Sequence, residues 1–230
     1  MYEEHHHRNI SGGGARAAVF GISDGLVSNV SLILGMAGAH ASAGSVRVAG
    51  VAGLIGGAFS MATGEYVSMR AQSELMEREL DVERQAILAD PEDERRELAA
   101  LYRSRGIEPD MADELSVKMM RNPDLALETH AREELGFTPG ETGRPFQAAA
   151  SSFVMFAVGA FIPLAPWLIT GGTTATLWSV ALGAVASLIV GAALSIFTGR
   201  SWMWSASRQL LLAGAAAGVT YTIGHLIGSG

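Results

Sequence analysis

Asp24 and Glu65 are carboxylates set inside apolar stretches of the chain. A charged side chain at the centre of a bilayer-spanning helix costs ~2.5–3.5 kcal/mol on insertion scales, so a membrane carboxylate reads by default as functional. Asp24 is followed by Gly25, and Ser23, Ser28, Asn29 and Ser31 lie close by in sequence. Met61 and Glu65 are four residues apart and share one helix face. A carboxylate, a thioether and an amide together could strip part of the hydration from a divalent ion. Thioether sulfur favours softer transition metals over Mg²⁺ or Ca²⁺. Taken alone, Met61 reads as core packing. Glu65, near a span end, reads about equally as a snorkelled or capping acid, and His225 reads first as a structural donor and second as a proton carrier.

The remaining acid is concentrated. Between Ser73 and Pro145 lie 19 of the 23 Asp and Glu residues, facing 10 Lys and Arg. Glu79 with Glu83, Glu94 with Glu97, and His130 with Glu134 stand at helical i,i+3 or i,i+4 spacing, and Glu133 adjoins the last pair. Any one pair reads as a solvated surface. Three pairs in one short segment repel each other unless a cation sits between them, and hard or borderline divalent ions accept such oxygen-rich sites. Cysteine is absent, which excludes disulfides, thiolate metal sites and thiol catalysis. The net charge of −7 argues against nucleic-acid binding, which needs a basic surface. His5, His6 and His7 could bind a metal, although a polar tail over 1–14 is the simpler reading.

These residues need a scaffold. From Pro145 to Gly199 no residue is charged, which a soluble domain of this size could not tolerate. A membrane helix needs ~20 mainly apolar residues. Five segments qualify, at about 15–39, 46–69, 146–170, 174–199 and 209–228. Pro163-Leu164-Ala165-Pro166 and Gly171-Gly172 divide the third from the fourth. The expected class is therefore all-α: a five-helix transmembrane bundle, with residues 15–72 and 146–230 in the membrane and an acidic helical domain over 73–145 inserted between the second and third spans. No Pro or Gly interrupts 66–89, so the second span continues as one helix of about 40 residues. Asp90-Pro91 and Asn122-Pro123 are helix starts, and Gly106 and Gly136 are stops. A further helix is expected from about Pro109 to Arg121, and the last runs to Leu135. With the N-terminus inside, 15 Lys and Arg lie on the cytoplasmic side and only Arg47 outside, which favours a cytoplasmic N-terminus and acidic domain. Gly21/Gly25, Gly53/Gly57, Gly214/Gly218 and Gly224/Gly228 suggest close helix packing, inside a subunit or across a dimer. Trp167, Trp178, Trp202 and Trp204 are expected as interfacial anchors.

At these residues the chain resembles the vacuolar iron transporter family. Gly21-Ile22-Ser23-Asp24-Gly25-Leu26 and Ser60-Met61-Ala62-Thr63-Gly64-Glu65-Tyr66 are similar to its first- and second-span signatures. Glu133-Glu134-Leu135-Gly136 resembles the motif closing its cytoplasmic domain. Phe161-Ile162-Pro163-Leu164-Ala165-Pro166 and Phe197-Thr198-Gly199 resemble the ends of its third and fourth spans. The resemblance covers residues 14–228. It implies five membrane helices, an inserted metal-binding domain, a homodimer, and movement of Fe²⁺, often Mn²⁺, out of the cytosol against inward proton flow. Zn²⁺ is a surrogate ligand. By position, Asp24 and Met61 match residues of the translocation path, and Glu83, Glu94, Glu97 and Glu134 match carboxylates of the domain. The chain departs from the pattern at Ala86 and Ala131, where domain glutamates are expected, and at Gly53, where a membrane glutamate is expected. Glu79, His130 or Glu133 are the candidate substitutes in the domain, and Glu65 in the membrane. No prosthetic group and no enzyme activity are implied, and a bacterial inner membrane is the expected location. A membrane-anchored ferroxidase or metal-storage protein is the alternative, weakened by the absence of any Glu-x-x-His motif between Ser73 and Pro145. A third reading makes the acidic block a solvated spacer in an assembly protein.

Overall fold

The computed structural model describes residues 13–140 and 143–229; the tail carrying His5–His7 lies outside them. Among the described residues the regular secondary structure is entirely helical. The helices are α1 (Gly13–Gly38), α2 (Ala43–Ala89), α3 (Pro91–Ser104), α4 (Pro109–Met119), α5 (Pro123–Glu133), α6 (Pro145–Ile169), α7 (Gly172–Thr198) and α8 (Trp202–Gly228). Five of them, α1, α2, α6, α7 and α8, are long and apolar enough to cross a membrane. The protein is an integral membrane protein built on a five-helix bundle. The chain divides into two compact units, Met1–Ser68 with Arg144–Gly230, and Met69–Gly143. At 47 residues α2 is ~70 Å long, more than twice the hydrocarbon thickness of a bilayer, and it contributes to both units.

In the first unit α1 lies against α6, α7 and α8. Lipid tails are as apolar as leucine, so helices associate in a membrane by close packing rather than by water exclusion. Glycine makes the approach possible. A Cβ on Gly25 would fall onto the Phe156 carbonyl, and one on Gly159 onto the Ile22 carbonyl, so α1 and α6 touch backbone to backbone. Gly224 and Gly228 seat α8 against Gly35 of α1 and Ala39 just beyond it in the same way. Gly57 gives room to the Phe156 ring. Three of the four small-residue pairs are thus consumed within the chain, whereas Gly214 and Gly218 face open space. Buried polar bonds pin the helices. Asn29 Nδ2 donates to the Ala160 carbonyl at 2.6 Å, Gln209 Nε2 to Ser23 Oγ at 2.6 Å, and Ser179 Oγ to the Pro163 carbonyl at 2.6 Å.

Several boundaries differ from the sequence expectation. Pro163 and Pro166 lie inside α6 rather than in the turn, which falls at Gly171–Gly172. Each proline removes one donor to the carbonyl a turn earlier, a loss that membrane helices tolerate inside a packed bundle. α8 begins at Trp202, seven residues before the expected Gln209, because its polar first turns are helical too. Trp178, Trp202 and Trp204 are exposed at helix starts, but Trp167 is buried in a cluster with Ile33, Val46, Leu164 and Ala175 and is not an interfacial anchor. Its carbonyl, and that of Thr170, instead accept from Arg47 at 2.5 and 3.1 Å, so the guanidinium caps the C-terminus of α6.

The second unit starts each short helix in the same way. Pro91, Pro109 and Pro123 occupy the first turns, preceded by Asp90, Glu108 and Asn122 as caps. Asp90 accepts from the Asp93 amide at 3.1 Å and Asn122 from the Asp124 amide at 2.9 Å. Gly106 at φ 90° and Gly136 at φ 75° redirect the chain where a side chain would be strained. α4 ends at Met119 and α5 at Glu133, each about two residues before the expected end. Leu98, Tyr102 and Ala112 form one core, and Ile87, Ala126 and Leu127 another.

The glycine contacts give a test. Gly25→Ala is expected to destabilise the protein by about 1–3 kcal/mol, because a methyl group there forces two backbones apart. Gly214→Ala should leave the melting temperature of the detergent-solubilised protein unchanged.

Candidate metal sites

The second unit places α2, α3 and α5 so that acids from each meet one imidazole. His130, on α5, is 1% exposed. Its Nδ1 lies 2.9 Å from Glu83 Oε1 of α2, 3.3 Å from Glu134 Oε2 at the end of α5, and 3.8 Å from Glu94 Oε2 of α3. The first contact is close enough for ion pairing but off the hydrogen-bonding direction, so Glu83 Oε1 has no hydrogen-bond partner. His130 Nε2 is also buried without one. Glu83, Glu94 and His130 each offer a ligand atom, all within 4.8 Å of one another. Two donors held ~2.1 Å from one metal at tetrahedral or octahedral angles stand about 3.0–3.4 Å apart. The spacing around Nδ1 brackets that range. Glu97 and Glu134 line a cleft beside Leu98, Leu101 and Ser104.

Electrostatics agree with a cation-seeking site. Burial pushes the Glu83 carboxyl above the ordinary carboxylate range. His130 pulls it back, while Glu134, Glu94 and Glu97 push it further up. Glu94 is raised by burial first and then by Glu97, again against the pull of His130. A buried acid surrounded by acids is stabilised by a proton or by a metal, and the two compete.

A family model described as the VIT family matches residues 15–225, almost the whole chain. The chain belongs to the VIT family. A protein of Acanthamoeba castellanii named vacuolar iron transporter is 34% identical to it, over 97% of this chain and 82% of the relative. Vacuolar iron transporter 1 of Arabidopsis thaliana is 30% identical over 99% of this chain and 92% of its own. Vacuolar iron transporter 1 of Oryza sativa subsp. japonica is 30% identical over 96% and 89%.

This VIT-family chain places the other sequence candidates as follows. Glu79, one turn before Glu83, is half-buried and outside the converging group. Glu133 pairs with Arg105, whose other terminal nitrogen donates to the Glu133 carbonyl at 2.7 Å. That clamp turns Glu133 away from the cluster; its partner is 28 residues distant, and no local spacing signals it. In the bundle, Asp24 is exposed on α1 and accepts from Ser28 Oγ at 3.2 Å. Met61 packs against the cluster of Ala58, Phe156 and Ala160. Glu65 is half-buried, 3.5 Å from Arg16. Among the described residues these three do not form a converging group with a third His or acid. Asn29, the amide noted beside Asp24 in the sequence, is 2% exposed, and its Oδ1 lies without a partner beside Gly53.

The raised carboxyls set a pH dependence. The folded state holds protons on Glu83 and Glu94 more tightly than the unfolded chain, so the metal-free fold loses stability as pH rises from the ordinary carboxylate value through the raised ones. Metal must displace those protons. Zn²⁺ binding to the full-length protein, followed by calorimetry, should weaken as pH falls through the same window, by about tenfold per pH unit for each proton displaced. Glu83→Gln should lower the affinity and flatten the dependence.

Proposed function

We propose that this protein moves Fe²⁺, and Mn²⁺ with it, out of the cytosol in exchange for protons, with the acidic unit collecting metal on the cytoplasmic side. The observation that carries the reading is the group of Glu83, Glu94 and His130, buried, convergent and incompletely hydrogen-bonded, in a chain whose relatives are named iron transporters. An imidazole with two or three carboxylates suits borderline divalent ions. Glu97 and Glu134, in the adjoining cleft, are the entry ligands. Glu79 and Glu133 are peripheral acids that raise the local concentration of cations.

In the membrane, Asp24 is the principal ligand of the ion in transit, with Met61 supplying the soft donor and Glu65 the inner gate. An exposed carboxylate on a lipid-facing helix costs ~2.5–3.5 kcal/mol, and a second copy of the chain packed over α1 removes it from lipid. A homodimer follows from that cost. Coupling arises because the same carboxylates exchange metal for protons. The distribution of Lys and Arg supports a cytoplasmic N-terminus and acidic unit, in a membrane of the bacterial inner-membrane type.

Uptake of Fe²⁺ into inside-out vesicles with an imposed pH gradient tests this. Asp24→Ala should abolish proton-dependent uptake, whereas Glu94→Ala combined with Glu97→Ala should only weaken it. Full transport by Asp24→Ala would sink the mechanism.

A further inference from the structure

His40 and His225 lie far apart in sequence, and the bundle brings them together. Their rings meet edge to face with centroids 5.7 Å apart. Two imidazoles sharing one Zn²⁺ through bonds of ~2.0–2.1 Å have ring centres about 5–6 Å apart. The backbone around them is built to hold that distance. A Cβ on Gly38 would strike the Tyr221 carbonyl and the His225 amide, and one on Gly228 would strike Ala39. α1 and α8 therefore end side by side in main-chain contact, and neither ring is carried on a loose loop.

His40 itself stands at an unusual place. The amide of His40 bonds the Ala37 carbonyl and that of Ala41 bonds the Met36 carbonyl, each at 3.1 Å. This is a Schellman stop, in which the position taken by His40 is ordinarily glycine. His40 is the single non-glycine residue with positive φ among the described residues, at 54°. Glycine would stop the helix without strain. A side chain kept where glycine serves better points to a use for the side chain.

We propose that His40 and His225 form a two-imidazole site for a borderline divalent transition-metal ion at the end of the bundle opposite Arg16 and Glu65. Neutral imidazole is the commonest protein ligand for such ions. Both residues are exposed, so water completes the coordination and the ion leaves readily. A weak site at this end is a staging post for the departing cargo. Its direction of use rests on the transport reading above, but its existence does not.

The chain has six histidines, so ¹⁵N-histidine labelling of the full-length protein in detergent yields a resolvable spectrum. Zn²⁺ is the probe, and His40→Gly and His225→Gln assign the two residues. His40→Gly suits the backbone better than the native residue, so its melting temperature should stay level or rise. The ring-nitrogen resonances of His40 and His225 should shift along one shared saturation curve. In His40→Gly the His225 response should need at least tenfold more Zn²⁺. An unaltered His225 response in His40→Gly, or no shift of either ring while His130 responds, would overturn the site. Absence of Fe²⁺ uptake by the wild-type protein in vesicles would instead overturn the transport reading and leave the Zn²⁺ result standing.

Discussion

The bundle rests on main-chain contact along α1. Where Gly25 meets Phe156, Gly159 meets Ile22 and Gly224 meets Gly35, two helices approach as closely as peptide groups allow. Dispersion between such surfaces is the main attraction available in lipid, and it falls steeply with separation. Two interhelical polar bonds of the membrane unit depend on that approach. Asn29 reaches the Ala160 carbonyl, and Gln209 reaches Ser23, only because the helices carrying them are held this near. α1 also carries Asp24, so the helix held most tightly within the chain is the one that presents the membrane carboxylate.

The acidic unit works by a different rule. Its short helices are stopped and started by local chemistry, Asp90, Glu108 and Asn122 at the starts and Gly106 and Gly136 at the stops. That leaves side chains free to be chosen for the cluster. Around His130 the chain gathers Glu83, Glu94 and Glu134, and it leaves Glu83 Oε1 and His130 Nε2 buried without hydrogen-bond partners. Fold and charge are in opposition there unless a proton or a cation supplies the balance. The Arg105–Glu133 clamp marks the edge of the cluster, since an acid with its own arginine takes no part in it.

Much of this was legible in the sequence, and the reasons are local. The length of α2 follows from the unbroken run of helix formers after Tyr66, and the starts of α3 and α5 from Asp-Pro and Asn-Pro. The glycine pairs announced close packing. What remained hidden depends on contacts between distant residues. Trp167 sits near a span end like the other tryptophans, yet α1 and α2 cover it. Glu133 and Glu134 are neighbours with opposite fates, decided by Arg105 just past the end of α3. His130 read as a substitute ligand, but it is the group on which three carboxylates converge. Pro163 and Pro166 looked like a break, yet α6 runs through both to Ile169.

Arg47 is the one basic residue placed by the helix order at the end of the bundle that carries His40 and His225. Its guanidinium is committed to the Trp167 and Thr170 carbonyls, the electronegative end of α6. The C-terminal end of α6, equivalent to about half a negative charge, offsets part of its field. On the proposed route, a doubly charged ion leaving at this end would pass a guanidinium already paired with the last carbonyls of α6.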